Sequence, residues 1–148
     1  LKPSRSNGIK VTVPFKDLAA VEVTGSGDLW NSSTITARNF STKLTGSGDI
    51  KLDLAVENLE GAVTGSGDIL LSGKARDFNC KVTGSGDFKA YGLKAENVEA
   101  TVMGSGDIQI SANKKLKAKV MGSGDIKYKG NPENQDFKTS GSGSISSN

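Results

Sequence analysis

Six aspartates occupy one fixed place in a recurring phrase. Asp28, Asp49, Asp68, Asp87, Asp107 and Asp125 each close a Gly-Ser-Gly-Asp unit. A carboxylate can act as a general acid or base, ligate a hard cation, or accept hydrogen bonds, and spacing discriminates among these. High-affinity calcium needs six or more oxygens around one point, and calcium-binding β-rolls repeat every nine residues. Here one aspartate recurs every 18–21 residues, and no glutamate joins it at a fixed offset. No metal centre is expected. The units still form a candidate surface ladder: Thr24, Ser26 and Asp28; Thr45, Ser47 and Asp49; Ser66 and Asp68; Ser85 and Asp87; Ser105 and Asp107; Ser123 and Asp125. One reading is a cation-binding or glycan-binding surface. The preferred reading is structural, with each carboxylate accepting from backbone N–H groups of its own glycine turn, as in an Asx-turn. The serine and threonine hydroxyls would then bond along the stack.

Other reactive groups are few. The chain has no histidine, which removes the commonest general base and the commonest neutral metal ligand. Cys80 is the single cysteine; it can form no intrachain disulfide and is expected to be a small buried hydrophobe. None of the Gly-Ser-Gly units leads into Lys-Ser/Thr or a helix start, so no phosphate loop and no cofactor are expected. Lysines are dispersed, with only Lys114 and Lys115 adjacent; the net charge of +3 therefore does not point to nucleic acid. No apolar run is long enough to span a membrane. Trp30 and Tyr91 are predicted to face outward and are candidates for stacking on a sugar ring. For Trp30 the preferred alternative is cover by the N-terminal segment carrying Phe15 and Leu18.

The elements that place these groups follow from the repeat. Gly-Ser-Gly begins at Gly25, Gly46, Gly65, Gly84, Gly104, Gly122 and Gly141, at intervals of 21, 19, 19, 20, 18 and 19 residues. Apolar residues alternate around each unit. Two before the first glycine stand Val23, Leu44, Val63, Val82, Val102 and Val120; four after it stand Leu29, Ile50, Ile69, Phe88, Ile108, Ile126 and Ile145. Such period-two patterning, rich in β-branched residues, marks strands. Leucine-rich repeats share the period but need fixed leucines and a helical segment, which are missing. The fold class is therefore all-β: a single-stranded, right-handed parallel β-helix, or solenoid, of about seven coils of 18–21 residues, right-handed because parallel crossovers nearly always are. Thr42, Gly61, Cys80, Ala100 and Ala118 form a further small inward column, and the glycines lie where no side chain fits. One domain spans residues 1–148: residues 1–8 flexible, 9–20 a partial N-terminal coil and 131–148 a polar capping coil.

The Thr-Gly-Ser-Gly-Asp units at Thr24, Thr45, Thr64 and Thr83, and the closing run Ile126, Tyr128, Gly130, Pro132 and Gly141 to Ile145, resemble the bacterial family known as putative auto-transporter adhesin, head GIN domain. The resemblance covers roughly residues 9 to 146. It implies a right-handed β-helix, export across the inner membrane and an envelope setting, and it supplies no catalytic residues. Family members commonly carry a longer N-terminal portion, with further strands, than residues 1 to 20 supply here.

The expected function is non-enzymatic: a surface or envelope protein, adhesin-like or structural, whose partner is a carbohydrate or a host or cell-surface component. The competing class is a polysaccharide-active, pectinase-like β-helix enzyme. Such enzymes wall a cleft with long loops between strands, and intervals confined to 18–21 residues leave no room for them. The chain starts on Leu1 rather than Met, so it is expected to be a processed or truncated product with any signal peptide upstream, and the resemblance implies a periplasmic, outer-membrane-surface or extracellular location. Self-association through the N-terminal end is expected from the apolar residues Ile9 to Leu18.

Overall fold

The computed structural model describes residues 2–3, 9–15, 18–30 and 34–148, and the side chains of 20–30 and 34–148. Among the described residues all regular structure is β. The N-terminal strands are β1 (Lys2–Pro3), β2 (Ile9–Phe15), β3 (Leu18–Gly25) and β4 (Leu29–Trp30). The long strands β5 (Ile35–Gly46), β6 (Asp49–Gly65), β7 (Asp68–Gly84), β8 (Phe88–Gly104) and β9 (Ile108–Gly122) each run to a Gly-Ser-Gly corner. The chain ends on β10 (Ile126–Lys129), β11 (Asn134–Gly141) and β12 (Ile145–Ser147). From β3 onward successive circuits pair in parallel and in register, giving a β-solenoid of about seven turns.

Register makes the sequence columns real. Val23 pairs with Leu44, then Val63, Val82, Val102 and Val120 follow in order, and none of the six is more than 1% exposed. Leu29, Ile50, Ile69, Phe88, Ile108 and Ile126 form the second buried column. Gly61 leaves a vacancy that Phe88 fills: a Cβ there would lie 2.4 Å from the ring's Cζ. Phe88 in turn packs against Phe78, with ring centroids 5.5 Å apart. Small and large residues on adjacent circuits thus interlock in one core.

Unequal repeat lengths are absorbed at bulges. Tyr91 is the extra residue of β8, where the register with β7 shifts between Leu70 and Ser72. The shorter β9 skips positions 91–93 of β8 and inserts 113–114 at the next bend. Bulges of one to three residues re-aim side chains without building a loop.

The N-terminal expectation needs correction. Residues 9–15 do not add a parallel coil; β2 folds back antiparallel on β3, pairing Ile9 with Val23 and Val11 with Val21. β1 likewise runs antiparallel to β4. Two antiparallel strands therefore lie along the edge of the first circuit, and β2 becomes the terminal strand of the sheet on that side. Of residues 1–8, assigned to a flexible segment, Lys2–Pro3 form β1 and the others lie outside the described residues. At the other end, residues 134–147 do form a parallel circuit on β9 and β10. β11 is exposed along its whole length, as the polar residues Gln135 and Thr139 require.

Candidate functional site

Each corner turns on its first glycine, which has φ between +97° and +136° at all seven corners. The second glycine is constrained differently. A Cβ on Gly86 would sit 2.1 Å from the Gly67 carbonyl oxygen and 2.7 Å from Val63 Cγ1. The excluded volume is therefore the backbone of the preceding circuit, so each corner that stacks on another has no room for a Cβ at this position. Both amides after the turning glycine converge on one carbonyl: Ser66 N–H and Gly67 N–H donate to Gly46 O, each at 2.9 Å.

The aspartates complete this arrangement. In a regular parallel ladder the Asp87 amide would donate to the carbonyl preceding its partner Asp68, but the chain is bending there. Asp68 Oδ1 takes that place, accepting the Asp87 N–H at 3.1 Å. The same rung joins Asp49 to Asp28, Asp68 to Asp49, Asp107 to Asp87 and Asp125 to Asp107, at 2.8–3.2 Å. At the last corner Ser144 replaces aspartate and gives Asp125 Oδ1 both its amide, at 2.8 Å, and its hydroxyl, at 3.0 Å. Each carboxylate therefore serves the following circuit rather than its own glycine turn, and this donation offsets the repulsion expected of stacked charges. The hydroxyl columns do less than expected. Ser26, Ser47, Ser66, Ser85, Ser105 and Ser123 are exposed, and from Ser47 onward the stack there is held by their amides.

A replacement series tests the rung, with the exposed ion pair of Asp68 Oδ2 and Lys89 Nζ, 3.4 Å apart, lost in both variants. Asp68→Asn keeps a carbonyl oxygen for the Asp87 amide and is expected to change stability by less than about 0.5 kcal/mol. Asp68→Ala strands that amide and should cost about 1 kcal/mol. Urea melts of the two variants check this. A melting temperature that rises with millimolar calcium in the native chain, but not in Asp68→Asn, would instead make the column a cation site.

Sequence reasoning missed a second ladder at the other bend. Asn39, Asn58, Asp77 and Asn97 stack in register. Asn58 Nδ2 donates to Asn39 Oδ1 at 2.8 Å, and Asn97 Nδ2 donates to Asp77 Oδ1 at 2.8 Å. The Asn97 amide lowers the Asp77 pKa from its ordinary value; partial burial opposes this, and Arg76 adds to it. The signal was present, because all four residues stand seven before the first glycine of their corner. Beside this ladder runs a groove of about 580 Å³ along β6 to β11, flanked across the strand by Glu60, Glu99, Lys117 and Asp136.

The two outward aromatics are not brought together. Trp30 lies on β4 at the first circuit, 38% exposed, beside Lys2 of β1. The side chains of Phe15 and Leu18, its expected cover, lie outside the described residues. Tyr91 projects from the β8 bulge, partly exposed, with Lys129 Nζ 4.4 Å above its ring centroid. That cation occupies one stacking face. Cys80 is fully buried, and burial, with Glu99 nearby, pushes its thiol well above the ordinary range. Its thiolate is inaccessible, so iodoacetamide should label Cys80 only in denaturant, as intact-mass analysis would show.

The decisive comparison concerns the whole stack. The family described as "Putative auto-transporter adhesin, head GIN domain" matches residues 2–132. The chain belongs to that family. The head GIN domain proteins are adhesin-like, which puts this chain among surface or exported proteins; among the described residues no helix is long and apolar enough to cross a membrane. Three crystal structures show the same fold. A putative adhesin from Bacteroides fragilis NCTC 9343 is 33% identical with a TM-score of 0.76, over 85% of this chain and 61% of that one. A "putative lipid binding protein" from Parabacteroides distasonis ATCC 8503 is 32% identical with a TM-score of 0.85, over 87% and 52%. A putative adhesin from the same P. distasonis strain is 26% identical with a TM-score of 0.83, over 89% and 56%. The chain thus spans between half and two thirds of the length of these relatives. No curated protein is recognisably similar to it.

Proposed function

We propose that the chain is a non-catalytic, adhesin-like rod of the bacterial envelope, displayed in the periplasm, on the outer-membrane surface or outside the cell, whose outer faces meet a carbohydrate or another cell-surface component. The observation that carries this reading is the uniformity of the circuits: among the described residues length differences are absorbed by bulges of one to three residues, and no loop among them walls a cleft. The groove beside the asparagine ladder does bring the carboxylates of Glu60, Asp77, Glu99 and Asp136 to one surface. A glycosidase pair needs one carboxyl whose pKa is raised, and Asp77, shifted down, is not that acid. The lipid-binding description of one relative fits the same outer-face arrangement, because the interior is one continuous cluster of buried side chains.

The test is a glycan-array screen with a calcium titration, followed by incubation of each bound polysaccharide and assay of new reducing or unsaturated ends. Binding without product formation is expected. Accumulating product would establish the enzyme class instead, and failure to bind any glycan would remove carbohydrate as the partner.

A further inference from the structure

Lysines that are dispersed in the sequence converge in the fold. Lys81 on β7, Lys119 on β9 and Lys138 on β11 all stand three residues before the first glycine of a corner. Register stacks them in one outward column, in the order Lys81, Thr101, Lys119, Lys138. Lys117 lies on the same face, two residues before Lys119. All four lysines are exposed, and all four line one concavity of about 450 Å³.

Two acids face this group. Glu99 and Asp136 are the register neighbours of Lys117 on either side and line the same concavity. Even so, none of the ion pairs among the described residues includes any of the four lysines. Lys119 and Lys138 stand on adjacent circuits, about 4.8 Å apart at the backbone, where like charges repel. The imbalance extends beyond the concavity. Residues 110–148 hold seven lysines and three carboxylates, whereas residues 18–65 hold six carboxylates and three basic residues. Stacked cations with no internal partner are the arrangement an external anion would stabilise.

We propose that this face binds an acidic polysaccharide through its carboxylate or sulfate groups. The proposal rests on the glycan-directed reading above and gives it a site and a ligand chemistry. An extended polyanion laid along the column meets cations on two adjacent circuits and a third two circuits further on. Half-buried Met103 and Met121 and the lysine stems supply the non-ionic part of the surface. A bilayer fits less well, since interfacial docking inserts large apolar side chains. The nearest exposed one, Phe137, has the opposite strand parity to Asp136 and Lys138 and packs against Tyr128.

The experiment measures binding of dextran sulfate and of unsulfated dextran by calorimetry, over a salt series. It compares the native chain with Lys117→Gln/Lys119→Gln/Lys138→Gln and with a control, Lys51→Gln/Lys74→Gln/Lys94→Gln, which removes the same charge from exposed positions elsewhere. The native chain should bind dextran sulfate and not dextran. The first triple variant should lose about tenfold or more in affinity and show a shallower salt dependence, and the control should lose less than about twofold. Matching melting temperatures show that both variants fold. Equal losses in the two variants would overturn the site, since net charge alone would then explain binding. Anionic phospholipid vesicles or duplex DNA bound as tightly, and with the same sensitivity to the first triple, would overturn the ligand class. A neutral glycan bound equally by native and triple-variant protein would sink this site and leave the wider function standing. Failure with every glycan would remove this site and, with it, carbohydrate as the partner.

Discussion

Val82→Asp is expected to unfold the central circuits. Val82 is 0% exposed, stacked between Val63 and Val102 in the continuous inner column. A carboxylate placed there is enclosed by apolar side chains from both neighbouring circuits. Desolvating an unpaired charge costs several kcal/mol even after relaxation, a large part of the 5–15 kcal/mol that holds a typical domain together. Circular dichroism should show loss of the cooperative β transition, or a fall in Tm of more than about 10 °C. Lys81→Asp is the control: the adjacent side chain is exposed, and Tm should move by no more than about 2 °C. An unchanged Tm for Val82→Asp would contradict the buried column itself.

Gly86→Ala should be nearly as damaging, for a different reason. Gly86 is not among the positive-φ glycines, so alanine meets no backbone strain. It meets the Gly67 carbonyl oxygen at 2.1 Å, and that oxygen cannot retreat without separating two stacked corners. A loss of about 2–3 kcal/mol is expected from the forced displacement. Gly92→Ala, on the next strand, is the comparison: its nearest neighbour is Ser72 Cβ at 3.4 Å, so the change should be neutral or stabilise by about 0.5 kcal/mol. Chemical denaturation of both variants checks the contrast. Similar losses at Gly86 and Gly92 would show that corner stacking is not what fixes the second glycine.

The stacked circuits were legible because two periods coincide. Alternation assigns each residue a side, and the fixed corner aligns circuits, so Val82 could be placed between Val63 and Val102 without coordinates. The antiparallel β2 was not legible. Ile9, Val11, Val13 and Phe15 alternate just as a parallel coil would, and alternation carries no information on strand direction. The aspartate column could be read as structural, but its donor could not: that depends on which way amides point after a bend. The lysine face was missed because proximity along the chain was the criterion applied. Lys81, Lys119 and Lys138 are far apart in sequence and meet only through their common offset from the corner.

The hydrogen bonds between circuits, the aspartate rungs included, join each turn to the next and so run along the axis of the rod. A pull that separates the two ends of the chain loads these bonds one circuit at a time, as in opening a zipper, instead of loading many rungs in shear together. Each circuit of about 19 residues would release roughly 63–68 Å of chain at about 3.3–3.6 Å per residue, while its neighbours stay folded. Such a rod yields in steps at modest tension and lengthens severalfold before the last circuit opens. Tethered at one end and pulled at the other, such a stack would act as a shock absorber.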